Sequence, residues 1–375
     1  MKLADLPTPA LVLDRLKLTA NTTMMAERCQ RAGIALRPHM KTAKCADVAR
    51  LATTGHSGAI TVSTLAEALY FAEHGFDDIT YAVCAVPAKL DRAAALVRTG
   101  VGLKLLTDDP ATATALGERA ASLNVSFDIL IELDSGEHRT GVTSDGPELL
   151  EIADAIAACD SLRLAGVLTH AGHSYGMRTI AEIKAVAEGE RLTVVDAAKR
   201  LRQAGHECEI VSAGSTPTAM HAESFEGLTE IRPGVYMFFD LAQLGRQSCS
   251  VDQIAISVLS TVISHRPKHN RVLIDAGGIA LSKDISANDF VDNTGYGWVF
   301  DELCRERIAD LHVASADQEH GFVQGTDIPF AELAIGSRVR VLPNHACMTA
   351  AAYPCYAVVD GDDEVIATWS RTGGW

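Results

Sequence analysis

Eight short apolar runs alternate with longer helical segments, and this alternation constrains the fold of the chain more than any other sequence feature. The runs favour β-strands and cover Ile34–Leu36, Ala59–Val62, Ile79–Val83, Gly102–Leu106, Phe127–Leu133, Leu164–Leu168, Glu209–Val211 and Glu230–Tyr236. The segments between them carry Ala, Leu, Glu and Arg at helical spacing, and glycines such as Gly75 and Gly205 mark their ends. Eight strand–helix units in roughly 230 residues predict an α/β fold with a (β/α)8 barrel of the TIM type.

An open, doubly wound parallel sheet is the alternative fold for the same alternation. Its dinucleotide-binding form has a G-x-G-x-x-G run after the first strand. No such run follows Ile34–Leu36, and this favours the barrel.

The pattern changes after about Asp240, where long helical periodicity gives way to short strand-like runs separated by turns. The predicted strands are Ile254–Ile263, Arg271–Ile274, Val313–Ser315, Arg338–Leu342 and Tyr356–Val359. The opening segment Thr8–Asp14 is also strand-like and precedes a helix predicted over Leu16–Ala32. We therefore expect a barrel domain over residues 14–245, and a β-rich domain built from residues 1–13 and 246–375.

The composition excludes several classes of function. Of the 375 residues 47% are hydrophobic, but no run approaches the ~20 apolar residues of a membrane span. The net charge of −15 repels phosphate backbones, so nucleic-acid binding is not expected. The nine cysteines form no C-x-x-C pair, and the amino terminus lacks an apolar signal region. These features predict a cytoplasmic protein with reduced thiols.

Lys41 is the first candidate catalytic residue. It lies in the run Arg37–Thr42, which directly follows the apolar stretch Ile34–Leu36. A lysine at the end of a buried strand is costly, because desolvation disfavours the ammonium and lowers its pKa. The neutral amine that results is a nucleophile able to form a Schiff base with an aldehyde. The alternative is a lysine whose ammonium simply reaches solvent from the strand end.

Polar residues cluster after the predicted strands, at the edge where such barrels carry their active sites. Gly214, Ser215 and Thr216 follow strand seven, where a glycine, hydroxyls and backbone N–H groups at a helix start suit an anion. Further backbone donors are expected at Gly234 and Val235, beside Tyr236. A lysine on strand one and an anion site after strands seven and eight are what pyridoxal 5′-phosphate requires. Arg139 and Tyr175 are candidate partners of its ring, and His170 is a candidate for stacking on the ring face.

His345 and Cys347 form a second candidate site, after the strand-like run Val339–Leu342. In an extended segment these two side chains point to the same face. Imidazole and thiolate together suit Zn²⁺, and a site with two protein ligands leaves positions open for substrate and water. By chance, however, such a pair is more often a core cysteine beside a loop histidine. Gln318 and His320 are a further polar cluster in this domain, and we regard them as candidates for substrate binding.

With these residues in hand, the chain resembles the metal-activated, alanine-racemase-like pyridoxal-phosphate enzymes that act on D-3-hydroxy-amino acids. This family includes D-threo-3-hydroxyaspartate dehydratase, D-serine dehydratase and D-threonine aldolase. The resemblance covers nearly the whole chain, and it rests on the motifs Thr8–Ala10, Arg37–Thr42, Thr61–Thr64, His138–Gly141, Gly214–Thr218, Gln318–Gly321 and Pro343–Cys347. It implies Lys41 as the Schiff-base lysine and His345 with Cys347 as ligands of a divalent metal (Zn, or Mn, Co or Mg). It also implies a homodimer.

The resemblance further implies a dehydratase that removes water from the substrate and releases a 2-oxo acid and ammonia. The His-x-Cys pair is similar to that of the dehydratases, whereas the aldolases typically carry His-x-Asp. After Cys347 the run Met348–Pro354 departs from the pattern common in D-serine dehydratase, which favours a 3-hydroxyaspartate substrate. Three alternatives stay open: an aldolase that gives glycine and an aldehyde, a racemase, and a pyridoxal-phosphate-binding protein without turnover.

Overall fold

The computed structural model describes residues 1–375 and contains two compact units. The barrel unit comprises Met24–Gly234 with Gly373–Trp375, and the sheet unit comprises Met1–Thr23 with Val235–Thr372. Strand β1 (Ala10–Asp14) belongs to the sheet unit, and helix α1 (Arg15–Ala32) continues from it into the barrel unit. The domain limits predicted at residues 14 and 245 stay a prediction.

The barrel unit is built on eight parallel strands that neighbour one another in chain order. They are β2 (Ala35–Leu36), β3 (Ile60–Val62), β4 (Asp78–Cys84), β5 (Gly102–Thr107), β6 (Phe127–Leu133), β7 (Leu162–Thr169), β8 (Ile210–Ala213) and β9 (Glu230–Ile231). Strand β2 pairs with β9, and beyond β2 His39 forms a parallel bridge to Thr61 on β3. The sheet therefore closes on itself, and the predicted barrel is confirmed.

Helices follow the strands as the alternation predicts. They are α2 (Ala46–Ala52), α3 (Leu65–Glu73), α4 (Leu90–Arg98), α5 (Pro110–Leu123), α6 (Glu148–Ala157), α7 (Ile180–Gln203) and α8 (Thr216–His221). Side-chain caps fix several starts: the Thr64 side chain accepts from the Glu67 N–H, and Thr179 forms a capping box with Glu182. Each such cap satisfies a backbone N–H that has no partner inside its own helix.

The eighth predicted strand, Glu230–Tyr236, is too long. Strand β9 contains only Glu230–Ile231, and Val235–Met237 forms a short 3-10 turn. Pro233 has no N–H to donate to a strand ladder, so a strand that passes through it is interrupted.

Buried charges hold the strands of the barrel together. The Arg37 Nε atom donates to Glu230 Oε2 at 2.8 Å, and its Nη1 atom donates to Asp78 Oδ1 at 2.6 Å. Lys104 Nζ donates to the same Asp78 oxygen at 2.6 Å. The Arg37 side chain is only 6% exposed, so its charge depends on these carboxylates for compensation.

The sheet unit contains a second closed sheet, in which all but one of the strand pairs are antiparallel. Its strands are β10 (Ile256–Arg266), β11 (Arg271–Ile274), β12 (Gly297–Phe300), β13 (Arg307–Ala316), β14 (Gly321–Gln324), β15 (Arg338–Pro343), β16 (Cys355–Val359) and β17 (Ala367–Ser370). The pairing runs β11-β14-β13-β12-β15-β10, and β10 pairs again with β11, so six strands close into a small barrel. Strands β1, β16 and β17 extend the sheet from β10. The β-rich character predicted from the sequence is confirmed.

Three short helices complete the sheet unit: α9 (Leu241–Gly245), α10 (Gly278–Leu281) and α11 (Ala346–Ala350). Strands β12, β14 and β17, of four residues each, were not predicted. No helix of the chain combines the length and the apolar composition needed to cross a membrane.

Candidate active site

A cavity of about 360 Å³ lies at the carboxyl ends of the barrel strands. All eight strands contribute to its wall, from their last residues or from the loops that follow. The lining residues are His39, Lys41, Ser63, Ala82, Val83, Cys84, Leu106, Glu132, Arg139, Thr140, Leu168, His170, Gly214 and Arg232. Barrels of this type bind their ligands at this end. The sequence-predicted residues Lys41, Arg139, His170 and Gly214 are thus brought together around one cavity.

Lys41 stands on a well-anchored segment of the chain. The His39 N–H donates to the Pro233 carbonyl at 2.9 Å, and the Met40 N–H donates to the Thr61 carbonyl at 2.8 Å. The N–H of Lys41 itself lies 3.4 Å from His39 Nδ1. These bonds extend the ladder of β2 up to the residue before Lys41, so the Lys41 backbone is fixed at the cavity wall. Lys41 itself is exposed, so the burial expected from its place after a buried strand is wrong.

Two histidines flank Lys41 as neutral groups. Burial lowers the pKa of His39 well below its ordinary value, and the charges of Lys41 and Arg232 lower it further. Burial likewise lowers the pKa of His170 well below its ordinary value, together with the charges of Lys41 and Arg139. Neutral imidazoles add no positive charge around Lys41 and are weak bases. The ring of Tyr175 lies 6.4 Å from that of His170, tilted by 46°, so these two rings do not stack.

Arg232 is a cavity residue for which the sequence analysis proposed no role. Its guanidinium is buried, with Nη2 donating to the Thr169 carbonyl at 2.6 Å and Nη1 donating to Ser212 Oγ. Ser212 Oγ in turn donates to Glu230 Oε1 at 2.7 Å. Burial lowers the pKa of Arg232, whereas the carboxyl groups of Glu230, Glu190 and Glu132 raise it. The arginine at the end of strand eight was visible in the sequence, but its connection to Glu230 was not.

Glu132 brings a buried carboxylate to the cavity wall. Its Oε1 atom accepts from Thr140 Oγ1 at 2.9 Å, and its Oε2 atom accepts from Cys84 Sγ at 2.9 Å. Burial, followed by the negative charges of Glu132 and Asp108, raises the pKa of the Cys84 thiol. The thiol therefore stays protonated, and both oxygens of Glu132 have a donor. The sequence showed Glu132 at the end of strand five but gave no sign of the thiol beside it.

The predicted anion loop lies at the start of α8. Ser215 caps this helix, and its hydroxyl lies 2.9 Å from that of Ser174. The Gly214 N–H donates to Glu190 at 3.0 Å, and the Ser215 N–H donates to Thr218 Oγ1 at 2.9 Å. Two of the expected backbone donors thus have acceptors within the protein. Gly214 has a φ of +108°, which favours glycine at this position.

The residues after strand eight fall in two places. A Cβ atom on Gly234 would lie 2.9 Å from the His39 carbonyl oxygen, so only glycine permits this close approach. Val235 and Tyr236 are buried in the 3-10 turn that begins the main segment of the sheet unit. Their assignment to the cofactor stays a prediction, as does that of Arg139, whose Nη1 atom lies 3.4 Å from Glu137 Oε1.

His345 and Cys347 are adjacent in the sheet unit, but not for the reason given from the sequence. Strand β15 ends at Pro343, His345 is the N-cap of α11, and Cys347 lies in the first turn of this helix. The expected extended segment is therefore wrong. The two side chains form a hydrogen bond with each other, which leaves an imidazole nitrogen and a sulfur atom side by side.

Carboxylates surround this pair. His345 Nδ1 lies 2.6 Å from Asp284 Oδ2. Asp240 Oδ2 accepts a hydrogen bond from the Ala346 N–H at 2.9 Å. Ala346 lies between the two candidate ligands in the sequence. Burial alone would lower the pKa of His345, but hydrogen bonds to Asp284 and Cys347 and the charge of Asp240 raise it to about 11. Asp284 and Asp240 escaped prediction from the sequence, because both are distant from His345 along the chain.

The donor set fits a divalent metal with few protein ligands. A carboxylate on one imidazole nitrogen leaves the other nitrogen for the metal, an arrangement common among metal-binding histidines. No group of three or more His, Cys, Asp or Glu side chains is arranged to hold a metal. A metal at His345 and Cys347 would therefore need other ligands, such as water or substrate.

Gln318 and His320 lie in the exposed turn between β13 and β14. The Gln318 carbonyl accepts from the Ile279 N–H at 3.2 Å, at α10. Lys283 Nζ donates to the Ala316 carbonyl at 2.7 Å, so the residue beside Asp284 is tied to the strand that leads into this turn. The turn is thus connected to the segment that holds His345, and its role in substrate binding stays a prediction.

Comparison with known families agrees with this architecture. Residues 13–242 match the family model described as alanine racemase, N-terminal domain, and residues 255–359 match a serine dehydratase domain. The first match alone covers more than half of the chain. The chain belongs to the alanine racemase N-terminal domain family. Within this family, it is 40% identical to D-threo-3-hydroxyaspartate dehydratase of Delftia sp. (strain HT23), over 100% of this chain and 99% of the relative.

Two further relatives in the family carry names that state other activities. D-Serine dehydratase of Dictyostelium discoideum is 30% identical, over 99% of this chain and 98% of the relative. 3-Hydroxy-D-aspartate aldolase of Paracoccus denitrificans (strain Pd 1222) is also 30% identical, over 99% and 93%.

Solved structures include the Delftia dehydratase, with a TM-score of 0.96 over the full length of both chains. A D-threo-3-hydroxyaspartate dehydratase variant with one cysteine changed to alanine was solved in the metal-free form, with a TM-score of 0.96. Another variant replaces a histidine two positions before that cysteine.

Proposed function

We propose that this chain is a dehydratase that removes water from a D-3-hydroxy-amino acid, with D-threo-3-hydroxyaspartate as the first candidate substrate. The products are a 2-oxo acid and ammonia. The observation that carries the proposal is the adjacent pair His345 and Cys347 in a chain that is 40% identical, over its full length, to a dehydratase of this name. Pyridoxal phosphate in the barrel cavity and a divalent metal at the pair are the proposed cofactors.

The cavity residues suit pyridoxal phosphate. Lys41 supplies the amine, Gly214–Thr216 supply the backbone near the phosphate, and Arg139, His170 and Tyr175 are the proposed neighbours of the ring. When bound, this cofactor supplies an electron sink for the charge that develops at the substrate α-carbon.

Lys41 is the base that removes the α-proton. The other ionisable groups of the cavity are less suited: Glu132 already accepts two hydrogen bonds, and the high pKa of Cys84 keeps it a thiol. His39 and His170 are neutral and only weakly basic. A lysine amine is therefore the cavity group with the basicity for this step.

His345 and Cys347 are the proposed metal ligands, and Asp284 orients the imidazole of His345 through its Nδ1 atom. A bound divalent metal supplies a Lewis acid that makes a hydroxyl group a better leaving group. Loss of the α-proton and of the β-hydroxyl group gives an enamine, and addition of water then yields the 2-oxo acid and ammonia. Zn²⁺ is the proposed metal because the donors are imidazole and thiolate.

A homodimer and a cytoplasmic location complete the proposal. The homodimer rests on the resemblance alone. The location rests on the composition, and it is supported by the nine cysteines, which are all free thiols.

Product analysis tests the proposed activity. The purified protein, with pyridoxal phosphate and Zn²⁺ or Mn²⁺, is incubated with D-threo-3-hydroxyaspartate, D-serine and D-threonine in turn. We expect ammonia and a 2-oxo acid in equal amounts, fastest with the first substrate. Glycine with an aldehyde would instead establish an aldolase, the activity named for the Paracoccus relative. Cofactor binding without either product set would establish a binding protein without turnover.

A further inference from the structure

Glu190 is a buried carboxyl group that the proposed chemistry does not use. It lies in the middle of α7, and only 2% of the residue is exposed. Its Oε1 atom accepts two backbone hydrogen bonds, from Ala171 at 2.8 Å and from Gly214 at 3.0 Å. A glutamate buried on a long helix is unusual, because desolvation opposes its charge.

The two backbone groups belong to different loops of the active site. Ala171 follows β7, directly after the cavity residue His170, and Gly214 follows β8 and itself lines the cavity. One carboxyl oxygen therefore fixes the distance between the loop that carries His170 and the loop that starts α8.

The backbone conformation of Gly214 depends on its hydrogen bond to Glu190. Gly214 has a φ of +108°. A Cβ atom at this position would lie 3.2 Å from both the backbone nitrogen of Arg232 and the Cβ atom of Ile231. The Gly214 N–H points away from solvent to Glu190, so loss of the acceptor would leave a buried donor unpaired. A change in the orientation of this peptide would move the backbone that leads into Ser215 and Thr216.

We propose that Glu190 is a positioning residue, which joins the loops after β7 and β8 and thereby holds the Gly214–Thr216 backbone in place for the cofactor phosphate. This inference rests on the proposed function, in which pyridoxal phosphate occupies the cavity. Glu190 acts through the backbone of Gly214 and is not assigned any contact with the cofactor.

Three substitutions separate the parts of this role. Glu190→Gln keeps an acceptor oxygen for both N–H groups but carries no charge. Glu190→Leu keeps the approximate size but has no acceptor. Glu190→Asp keeps the carboxyl group but moves it away from the two N–H groups by the length of one methylene group. Glu188→Leu is the matched control on the same helix, since Glu188 is half-exposed and pairs with Arg191.

The experiment compares the dissociation constants of two ligands, pyridoxal phosphate and pyridoxal, by absorbance titration of each variant. Pyridoxal has the aldehyde but no phosphate, so it reports general damage to the cavity. We expect Glu190→Leu to weaken pyridoxal phosphate binding about tenfold or more, since a buried N–H loses its acceptor. Its affinity for pyridoxal should stay within about twofold of that of the unmodified protein. Glu190→Gln and Glu188→Leu should bind both ligands normally.

The outcomes are distinct. Unchanged pyridoxal phosphate binding by Glu190→Leu, or equal weakening of both ligands, would overturn the inference. If Glu190→Leu does not fold by circular dichroism, Glu190→Asp decides: selective loss of pyridoxal phosphate affinity supports the role, and normal affinity overturns it. Failure of the unmodified chain to bind pyridoxal phosphate would instead refute the proposed function.

Discussion

The barrel cavity and the His345–Cys347 pair differ in how much of a site each one contains. The cavity draws on all eight strands, and buried charges such as Glu132 and Arg232 already have partners within the barrel unit. The pair in the sheet unit consists of two donors at the start of a five-residue helix, oriented by Asp284. The first region is a nearly complete binding site, whereas the second has too few ligands to enclose a metal.

This difference suggests a division of tasks. A cavity with fixed, satisfied side chains suits a cofactor that stays bound during turnover. An incomplete metal site leaves coordination positions for a substrate hydroxyl group, as catalytic rather than structural sites do.

Replacement of Lys41 should have the largest effect. Lys41→Ala removes the proposed base and amine of the cavity, so we expect ammonia release to fall by at least about 1,000-fold. Metal binding in the sheet unit should be unchanged, as measured by metal content after dialysis. Lys184→Ala is the control, since this lysine pairs with Glu223 on the surface. Turnover by Lys41→Ala within tenfold of the unmodified protein would exclude Lys41 as the base.

Replacement of either proposed metal ligand should have the second largest effect. His345→Ala and Cys347→Ala should each lower ammonia release by at least about 100-fold, since the Lewis acid is lost. Absorbance of the bound pyridoxal phosphate should remain, because the barrel unit is intact. Cys355→Ala, in β16, serves as the control for loss of a thiol. Full metal content in both ligand variants would contradict the assignment.

The buried ion pairs of the barrel should govern stability. Arg37→Met removes the partner of Glu230 and one partner of Asp78, and we expect the free energy of unfolding to fall by about 3 kcal/mol. The comparison variant is Arg163→Met, which breaks exposed pairs with Asp128 and Glu209 and should cost at most about 1 kcal/mol. Urea unfolding followed by circular dichroism measures both values. Equal losses would mean that the buried network contributes no more than a surface pair.

Asp284→Asn should have a smaller effect on the metal site. Asparagine still offers an oxygen to His345 Nδ1 but removes the negative charge, so metal affinity should fall about tenfold, and at most about 100-fold. Titration with Zn²⁺ under competition from a chelator gives the dissociation constant. Asp292→Asn, an exposed carboxylate of the same unit, should leave it unchanged. If Asp284→Asn binds Zn²⁺ with unaltered affinity, the Asp284 carboxylate does not orient His345 for the metal.

Much of the fold was predictable because its signals are local. The eight barrel strands are apolar runs between helical segments, and Lys41 is adjacent to the first of them. Strand eight was predicted too long, because the apolar residues Val235 and Tyr236 after Pro233 resemble a continued strand. The short strand Gly297–Phe300 escaped prediction because its pairing with β15 joins residues far apart along the chain, such as Trp298 and Leu342.

The candidate site was predictable in part. Lys41, Gly214, His345 and Cys347 were visible as unusual residues next to predicted strands. Their partners were not, since Asp284 lies 61 residues before His345 and Glu190 looks like any other glutamate of a helix. Contacts between distant segments arise only once the chain is folded, so a single sequence does not contain a local signal for them.

The central claim is that water elimination needs both regions at once. The most direct measurement is ammonia release from D-threo-3-hydroxyaspartate before chelation of the metal, after chelation, and after Zn²⁺ is restored, with the absorbance of the bound pyridoxal phosphate recorded throughout. The account predicts that ammonia release is lost on chelation and returns with Zn²⁺, while the absorbance stays constant. Ammonia release that persists after complete removal of the metal would contradict it.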